Sequence, residues 1–284
     1  MLSIDLHAHS TASDGLLSPA SLIRRAAENG VGVLALTDHD ETCGIAEARE
    51  AAAVHGIRLV AGVEISVTWR TKTVHIVGLH IDTRSVALQA GLASVRSGRH
   101  VRAERIAAEL ARAGIDGSLE GASRHAGNPD LIGRTHFARY LVERGVACEP
   151  RDVFRRYLGE GKPGFVPHRW ASLEDAVSWI RASGGEAVVA HPGRYKLSRQ
   201  TLAELVSEFR ELGGAGIEVI TPCHRPDQFV ALAKLCRESG LKASAGSDFH
   251  GPGEQHLDLG RLPALPYGVT PIWEGWATGS GEAQ

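Results

Sequence analysis

The feature that most limits how this chain can fold is a rhythm. Short apolar or alternating runs at residues 3–7, 31–37, 58–65, 73–79, 186–190, 216–221 and 242–246 are separated by amphipathic stretches. Runs of that length read as strands, and the stretches between several of them carry helix punctuation. Ser18, Pro19 and Gly30 bracket one such stretch as N-cap, first helical residue and C-terminal stop. Strands alternating with helices imply a parallel sheet, and seven such units close most naturally into a barrel.

The rhythm breaks between about residues 97 and 165. There the sequence predicts helices without strands, at 99–113, 135–144 and 150–158, punctuated by Gly114, Gly117, Gly121, Gly127 and Pro129. The expected organisation is a barrel in two parts, residues 1–96 and 166–284, with a helical insertion at 97–165 that caps the substrate site. A length of 284 residues fits one such barrel as readily as two average domains. Residues 96–169 carry 14 basic against 9 acidic side chains, although the whole chain has a net charge of −2. That excess is either a solvated helical face or a surface that draws phosphate-bearing ligands.

Composition removes several classes. No apolar run approaches the roughly 18 residues of a membrane span. No basic and apolar leader opens the sequence, so the expected location is the cytoplasm. Cys43, Cys148, Cys223 and Cys236 are scattered without a Cys-x-x-Cys pair, which argues against a disulfide framework or a thiolate zinc site. The small, polar stretch 277–284 is expected to fray. Histidine is abundant, with 14 residues against 6 Phe, 5 Trp and 4 Tyr, and histidine is the commonest metal ligand.

Potential ligands fall at or near the ends of these runs. His7 and His9 share one side of an extended segment, and Asp14 follows in the next loop. His39 ends the second run, Glu64 the third, His191 the fifth, and Asp248 with His250 the seventh; His75 lies in the fourth. The sixth offers Glu218 within it and His224 just beyond. Each alone has a plain explanation as a core histidine or a helix cap. Together they would crowd three carboxylates and many imidazoles at one rim, which is costly unless cations compensate. Three dications against three carboxylates and one hydroxide would leave about +2, a match for a phosphate dianion; two dications would leave about zero.

The set His7-x-His9, Asp14, Thr37-Asp38-His39, Glu64, His75, His191-Pro192 and Ser247-Asp248-x-His250 resembles the PHP (polymerase and histidinol phosphatase) family. The resemblance implies an α/β fold, a distorted (β/α)7 barrel, and a centre of two or three divalent ions, with Mn favoured and Fe or Zn also suited. It implies His7, His9, Glu64 and Asp248 around one ion. Glu64 would bridge to a second held by His75 and His191, and Asp14, His39 and His250 would surround a third. Within the insertion, residues 132–139 and 157–167 are similar to the subgroup acting on nucleoside 3′,5′-bisphosphates and RNA 5′ ends. Thr135 stands where that subgroup has Pro, and Phe165 where it has Tyr.

The expected reaction is in-line attack of hydroxide on phosphorus, removing the 3′-phosphate from a nucleoside 3′,5′-bisphosphate. Arg134, just before a helix, can grip phosphate with its guanidinium fork. His168, Arg194, Lys162 and His224 are further substrate-binding candidates, and His191 or His224 could protonate the leaving ribose oxygen. Tyr157 and Phe165 either stack a base or fill the insertion's own core. Asp38 or Asp40 could orient His39. The expected partners are a small nucleotide or short RNA 5′ ends, with no membrane and no obligate protein. The alternatives are a 5′-to-3′ exoribonuclease, a histidinol phosphatase, or a non-catalytic metal-binding module.

Overall fold

The computed structural model describes residues 3–276; the stretch expected to fray, 277–284, lies outside the described residues. Among the described residues, seven strands form one sheet in sequence order: β1 (Ser3–Asp5), β2 (Val31–Leu36), β3 (Arg58–Trp69), β4 (Lys72–Leu79), β5 (Glu186–Val189), β6 (Gly216–Ile220) and β7 (Lys242–Ala245). Backbone bonds from Leu6 N to the Ala245 carbonyl (3.0 Å) and from His9 N to the Phe249 carbonyl (2.8 Å) join the first and last strands, closing the barrel.

The sheet is not wholly parallel. β1, β2 and β3 run together, as do β5, β6 and β7, but β4 is antiparallel to both its neighbours. β3 continues past the expected end at residue 65 to Trp69, and Arg70, at φ 53°, turns the chain straight back into β4. A parallel crossover needs a dozen or more residues, and the 65–73 interval has no room for one.

On the outer face pack α1 (Pro19–Glu28), α2 (Gly44–His55), α7 (Leu173–Ala182), α8 (Arg199–Glu211) and α9 (Pro226–Ser239). Ser18 caps α1 by accepting from Ser21 N, with Pro19 behind it. Val33, Ala35, Val60, Val77, Leu79, Val188, Ala190 and Ile272 form a separate cluster drawn from the strands and the C-terminal segment, the barrel's interior plug.

The helix expected at 99–113 is the second half of a longer one. α3 (Val86–Arg112) begins against the barrel, where Leu88 and Leu92 join the outer core and Gly91 lies so close to Trp179 that a Cβ would fall 2.3 Å from its ring. Further along, Ala103, Ile106 and Leu110 belong to a second core with Phe137, Leu141, Val153 and Leu158. That core also takes in α4 (Ser118–Arg124), α5 (Arg134–Glu143) and α6 (Pro150–Val153), the last followed by a π turn at Phe154–Leu158. Among the described residues no helix is long and apolar enough to cross a membrane.

Candidate metal centre and adjoining cleft

Strand geometry explains how distant ligands share one rim. Side chains alternate along a strand, so the face that bears the plug also bears the ligands. On β2 the plug residues Val33 and Ala35 precede His39, and on β3 Val60 precedes Glu64. On β4 the direction is reversed and His75 comes before Val77 and Leu79. His191 breaks the alternation after Ala190, and its left-handed φ of 28° redirects the chain; Asp248 sits at φ 49°. Such conformations cost about 1–3 kcal/mol in non-glycine residues and cluster at functional sites.

The nine expected ligands meet around Glu64, which is fully buried. Its Oε2 lies 3.2 Å from His7 Nε2, 3.3 Å from His9 Nε2 and 3.1 Å from His39 Nδ1. Its Oε1 lies 2.8 Å from both His75 Nδ1 and His191 Nε2. Asp248 Oδ1 approaches His9 Nε2 (3.2 Å) and His7 Nε2 (3.5 Å), while Asp14 Oδ1 faces His250 Nε2 at 3.4 Å and His39 Nε2 at 4.0 Å. The donor atoms fall into three overlapping groups: His7, His9, Glu64 and Asp248; His39, Glu64 and His75; and His9, Asp14, His39 and His250.

These residues fit divalent cations. His9 Nδ1, Asp14 Oδ1, His39 Nδ1, Glu64 Oε2, His191 Nδ1 and Asp248 Oδ1 are buried with no hydrogen-bond partner, an arrangement that protein interiors avoid. Imidazole with carboxylate oxygen is a donor set for first-row divalent metals.

The electrostatics point the same way. Burial works against charge on Asp14, Glu64 and Asp248, yet the surrounding imidazoles hold all three well below the usual carboxylate range. Burial also opposes charge on His9, but Asp248 and Glu64 overcome it and hold the ring up to about 10. His7 is raised too, against burial, by Glu218, Glu64 and Asp248. His39, by contrast, is pushed down to about 3 by burial. Protons on imidazole thus compensate the carboxylates, the place a cation would take.

Three buried carboxylates set the frame. Glu218 accepts from His7 Nδ1 (2.7 Å) and from the His191 backbone N–H (2.6 Å). Asp38 accepts from Ser10 N (2.7 Å), Ser10 Oγ (2.7 Å) and Ser13 Oγ (2.6 Å), pinning the loop that carries Asp14. Asp40 accepts from Ser66 N (2.7 Å) and Ser66 Oγ (2.9 Å) and pairs with Arg99. Asp38 and Asp40 are thus spent on backbone, hydroxyl and arginine donors rather than on orienting His39. Gly246 is required beside them, since a Cβ there would lie 2.2 Å from the Cβ of His7.

A cleft opens over the Asp14, His39, His75 and His250 side of the cluster, and the insertion supplies its far wall with Arg99, Arg102, Arg134 and Phe154. Arg194 and Trp170 complete it. Burial, with the neighbouring guanidinium groups, brings Arg102 down to about 9 and Arg134 down to about 10. Such crowding of like charge favours an anion.

Of the expected substrate contacts, Arg134 and Arg194 line this cleft. Lys162 is exposed and lies outside it. His168 stacks edgewise on Trp170 at 4.2 Å and approaches Gly98, behind the lining. His224 is a correction: Nε2 accepts from Gly193 N (2.9 Å) and Nδ1 donates to the Val219 carbonyl (3.0 Å), which leaves the ring no nitrogen for substrate. Tyr157 packs on the insertion core, and neither it nor Phe165 reaches the cleft; the aromatic walls are Phe154 and Trp170. Arg99 and Arg102 escaped the sequence reading. A spacing of three puts both on one helix face, but nothing in that spacing says which way the face points.

A model of the PHP domain family matches residues 5–164. The chain is 52% identical over 273 residues to a 3′,5′-nucleoside bisphosphate phosphatase of Chromobacterium violaceum, covering 96% of each. It is 47% identical to the 5′-3′ exoribonuclease Rnm of Escherichia coli, over 96% of this chain and 93% of the relative. Among solved structures, an amidohydrolase from Chromobacterium violaceum with bound sulfate and no metal superposes with a TM-score of 0.93 at 52% identity, over 96% of this chain and 95% of that one. A protein of Bifidobacterium adolescentis assigned as a metal-dependent phosphoesterase superposes with a TM-score of 0.81 at 26% identity, over 95% and 93% of the two chains. A family match over more than half the sequence, together with relatives aligned almost end to end, establishes that this chain belongs to the PHP domain family.

Proposed function

We propose that the protein is a metal-dependent phosphatase that removes the 3′-phosphate from nucleoside 3′,5′-bisphosphates, giving the 5′-nucleotide and inorganic phosphate. The observation that carries this reading is the union, in one cleft, of the imidazole and carboxylate cluster with four guanidinium groups. The cluster suits a scissile phosphate, and the arginines suit a second phosphate on the same substrate. Histidinol phosphate, with a single phosphate, would leave the arginines without a partner. The bisphosphate phosphatase named among the relatives supports the same substrate class.

His7, His9, Glu64 and Asp248 would hold one divalent ion, Glu64 with His75 and His191 a second, and Asp14, His39 and His250 a third. Mn is favoured, with Fe and Zn also suited to these donors. Such ions, when bound, polarise phosphoryl oxygens and lower the pKa of water so that a nucleophile exists at neutral pH. Arg134, at the start of α5, and Arg194 neutralise charge on the phosphates and fix the ribose between them. Arg99, tied to Asp40 and Ser66, holds a fixed position in the wall and donates from there. His191 serves as ligand rather than acid, because its Nε2 is directed at Glu64. All four cysteines are free, which favours a reducing compartment such as the cytoplasm.

A 5′-to-3′ exoribonuclease is the second reading, favoured by the 47% identity to the Escherichia coli enzyme. It would use the same two anchor points, the 5′-phosphate on arginine and the next phosphodiester over the cluster. A non-catalytic module is the remaining class, and a complete donor set argues against it. The deciding experiment is phosphate and nucleotide release in Mn2+ from adenosine 3′,5′-bisphosphate, a 5′-phosphorylated oligoribonucleotide and histidinol phosphate, with His9→Ala as the blank. The bisphosphate should be turned over fastest. Faster release from the oligonucleotide would transfer the assignment to the second reading, and no hydrolysis of any ester would leave the third.

A further inference from the structure

We infer that Arg139 is a positioning residue for the cation site at Asp14 and His250, an inference that rests on the metal-centre reading above. Arg139 lies on α5 in the insertion and is 7% exposed. It does not line the cleft. Its Nε and one terminal nitrogen form a fork on the Glu254 carboxylate, at 2.7 and 2.8 Å, and the same terminal nitrogen donates to the main-chain carbonyl of Asp14 at 2.6 Å. One guanidinium therefore ties together three segments: the loop of Asp14, the loop after β7 that carries His250, and a helix of the insertion.

The contrast with the two ligands that lie within strands explains why such a tie is needed. Glu64 and His75 stand on paired strands, held by the sheet's own ladder. Asp14 and His250 stand on loops, so local bonds must fix them. Leu16 N donates to the His250 carbonyl (2.6 Å), His250 N to Gln255 Oε1 (3.3 Å), and Gln255 Nε2 to the Asp248 carbonyl (3.2 Å). From the insertion, Asn128 Nδ2 reaches the Ala12 carbonyl at 3.4 Å. Leu16 joins the two loops through backbone alone; Arg139 is the one side chain among these that bonds to both, and it ties them to α5. A forked arginine to carboxylate contact is strong and directional, so its loss lets the two ligands drift apart without disturbing the strands.

The test is to strip wild type, Arg139→Lys and Glu254→Gln with chelator and titrate each with Mn2+, counting bound ions by elemental analysis and reading affinities by calorimetry. Lysine keeps the charge but not the fork. The expected result is a weakening of one class of ion by about 10- to 100-fold, the usual cost of losing a group that orients ligands, with the remaining ions bound as in wild type. The double variant should be little worse than either single one, since both remove the same contact. Unchanged affinity for every ion in both variants, or an even weakening across all ions, overturns the inference. A wild-type protein that takes up no Mn2+ overturns the metal-centre reading, and this inference with it.

Discussion

Glu218 on β6 reaches across the barrel to His7, two residues past the end of β1, with 2.7 Å between Oε1 and Nδ1. The bond fixes the proton on Nδ1 and turns Nε2 inward, 3.1 Å from His9 Nε2 and 3.2 Å from Glu64 Oε2. Because the other Glu218 oxygen holds the His191 backbone, one carboxylate orders ligands on two sides of the centre. Glu218→Gln keeps the shape and removes the charge. We expect Mn2+ affinity to fall by about 10- to 100-fold, with a parallel loss of turnover at limiting metal that excess metal partly restores. Calorimetric titration with activity measured across a metal series checks this; unaltered affinity would make Glu218 a packing residue only.

Protons and cations should compete at this centre. Without metal, His7 and His9 are held well above their ordinary range, His9 up to about 10, so both carry protons at neutral pH. A cation must displace them. Affinity should therefore rise with pH from neutrality toward about 10, and binding at pH 7 should release protons. Titrating Mn2+ in two buffers of different ionisation enthalpy gives the number released; a heat independent of buffer would contradict the protonated cluster.

Much of this centre was legible in sequence because metal ligands are chemically loud. His7, His39, Glu64, His191, Asp248 and His250 stand where apolar runs stop, and a barrel brings such ends together. The polarity of β4 was legible too, from the short 65–73 interval, but helix-strand alternation elsewhere pointed the other way. That reversal carries His75 to the rim on a strand running away from it. Arg99 and Arg102 were harder to see. On a helix, buried and solvated arginines look alike until the partner surface is known, here Trp170, whose ring lies 4.8 and 5.2 Å from their guanidinium carbons. His224 misled for the opposite reason, since a histidine beyond a strand end resembles a ligand and is here a brace between backbone groups.

Arg134 should discriminate by phosphate number. It lines the cleft at the start of α5, with its guanidinium 5.7 Å from the Phe154 ring and 3.5 Å from the Leu158 carbonyl. The Leu158 contact is long and neutral, so the group is free to take a charged acceptor. Arg134→Ala should cost about 1.5–3 kcal/mol on a bisphosphate, roughly 10- to 150-fold in kcat/KM, the value of a hydrogen bond to a charged group. The loss on adenosine 3′-monophosphate should be much smaller, because that substrate lacks the second phosphate. Comparing kcat/KM for the two substrates in wild type and variant tests this, and equal losses would place Arg134 at the scissile phosphate instead.

His136 should make the insertion sensitive to acid. It lies at the first turn of α5, fully buried, with Nδ1 accepting the Gly133 N–H at 3.0 Å. Burial brings its pKa from 6.5 down to about 4. Below pH 6.5 the unfolded chain takes up a proton that the folded chain refuses, so stability is lost as pH falls from about 6.5 to about 4. The shift corresponds to about 3 kcal/mol at most. Glutamine is the usual residue at this capping position and can accept from the same N–H without titrating. His136→Gln should therefore show a shallower fall in urea midpoint between pH 7 and pH 4.5 than wild type, while the metal ligands titrate alike in both. Parallel curves for the two proteins would show that the buried ring is not what acid attacks.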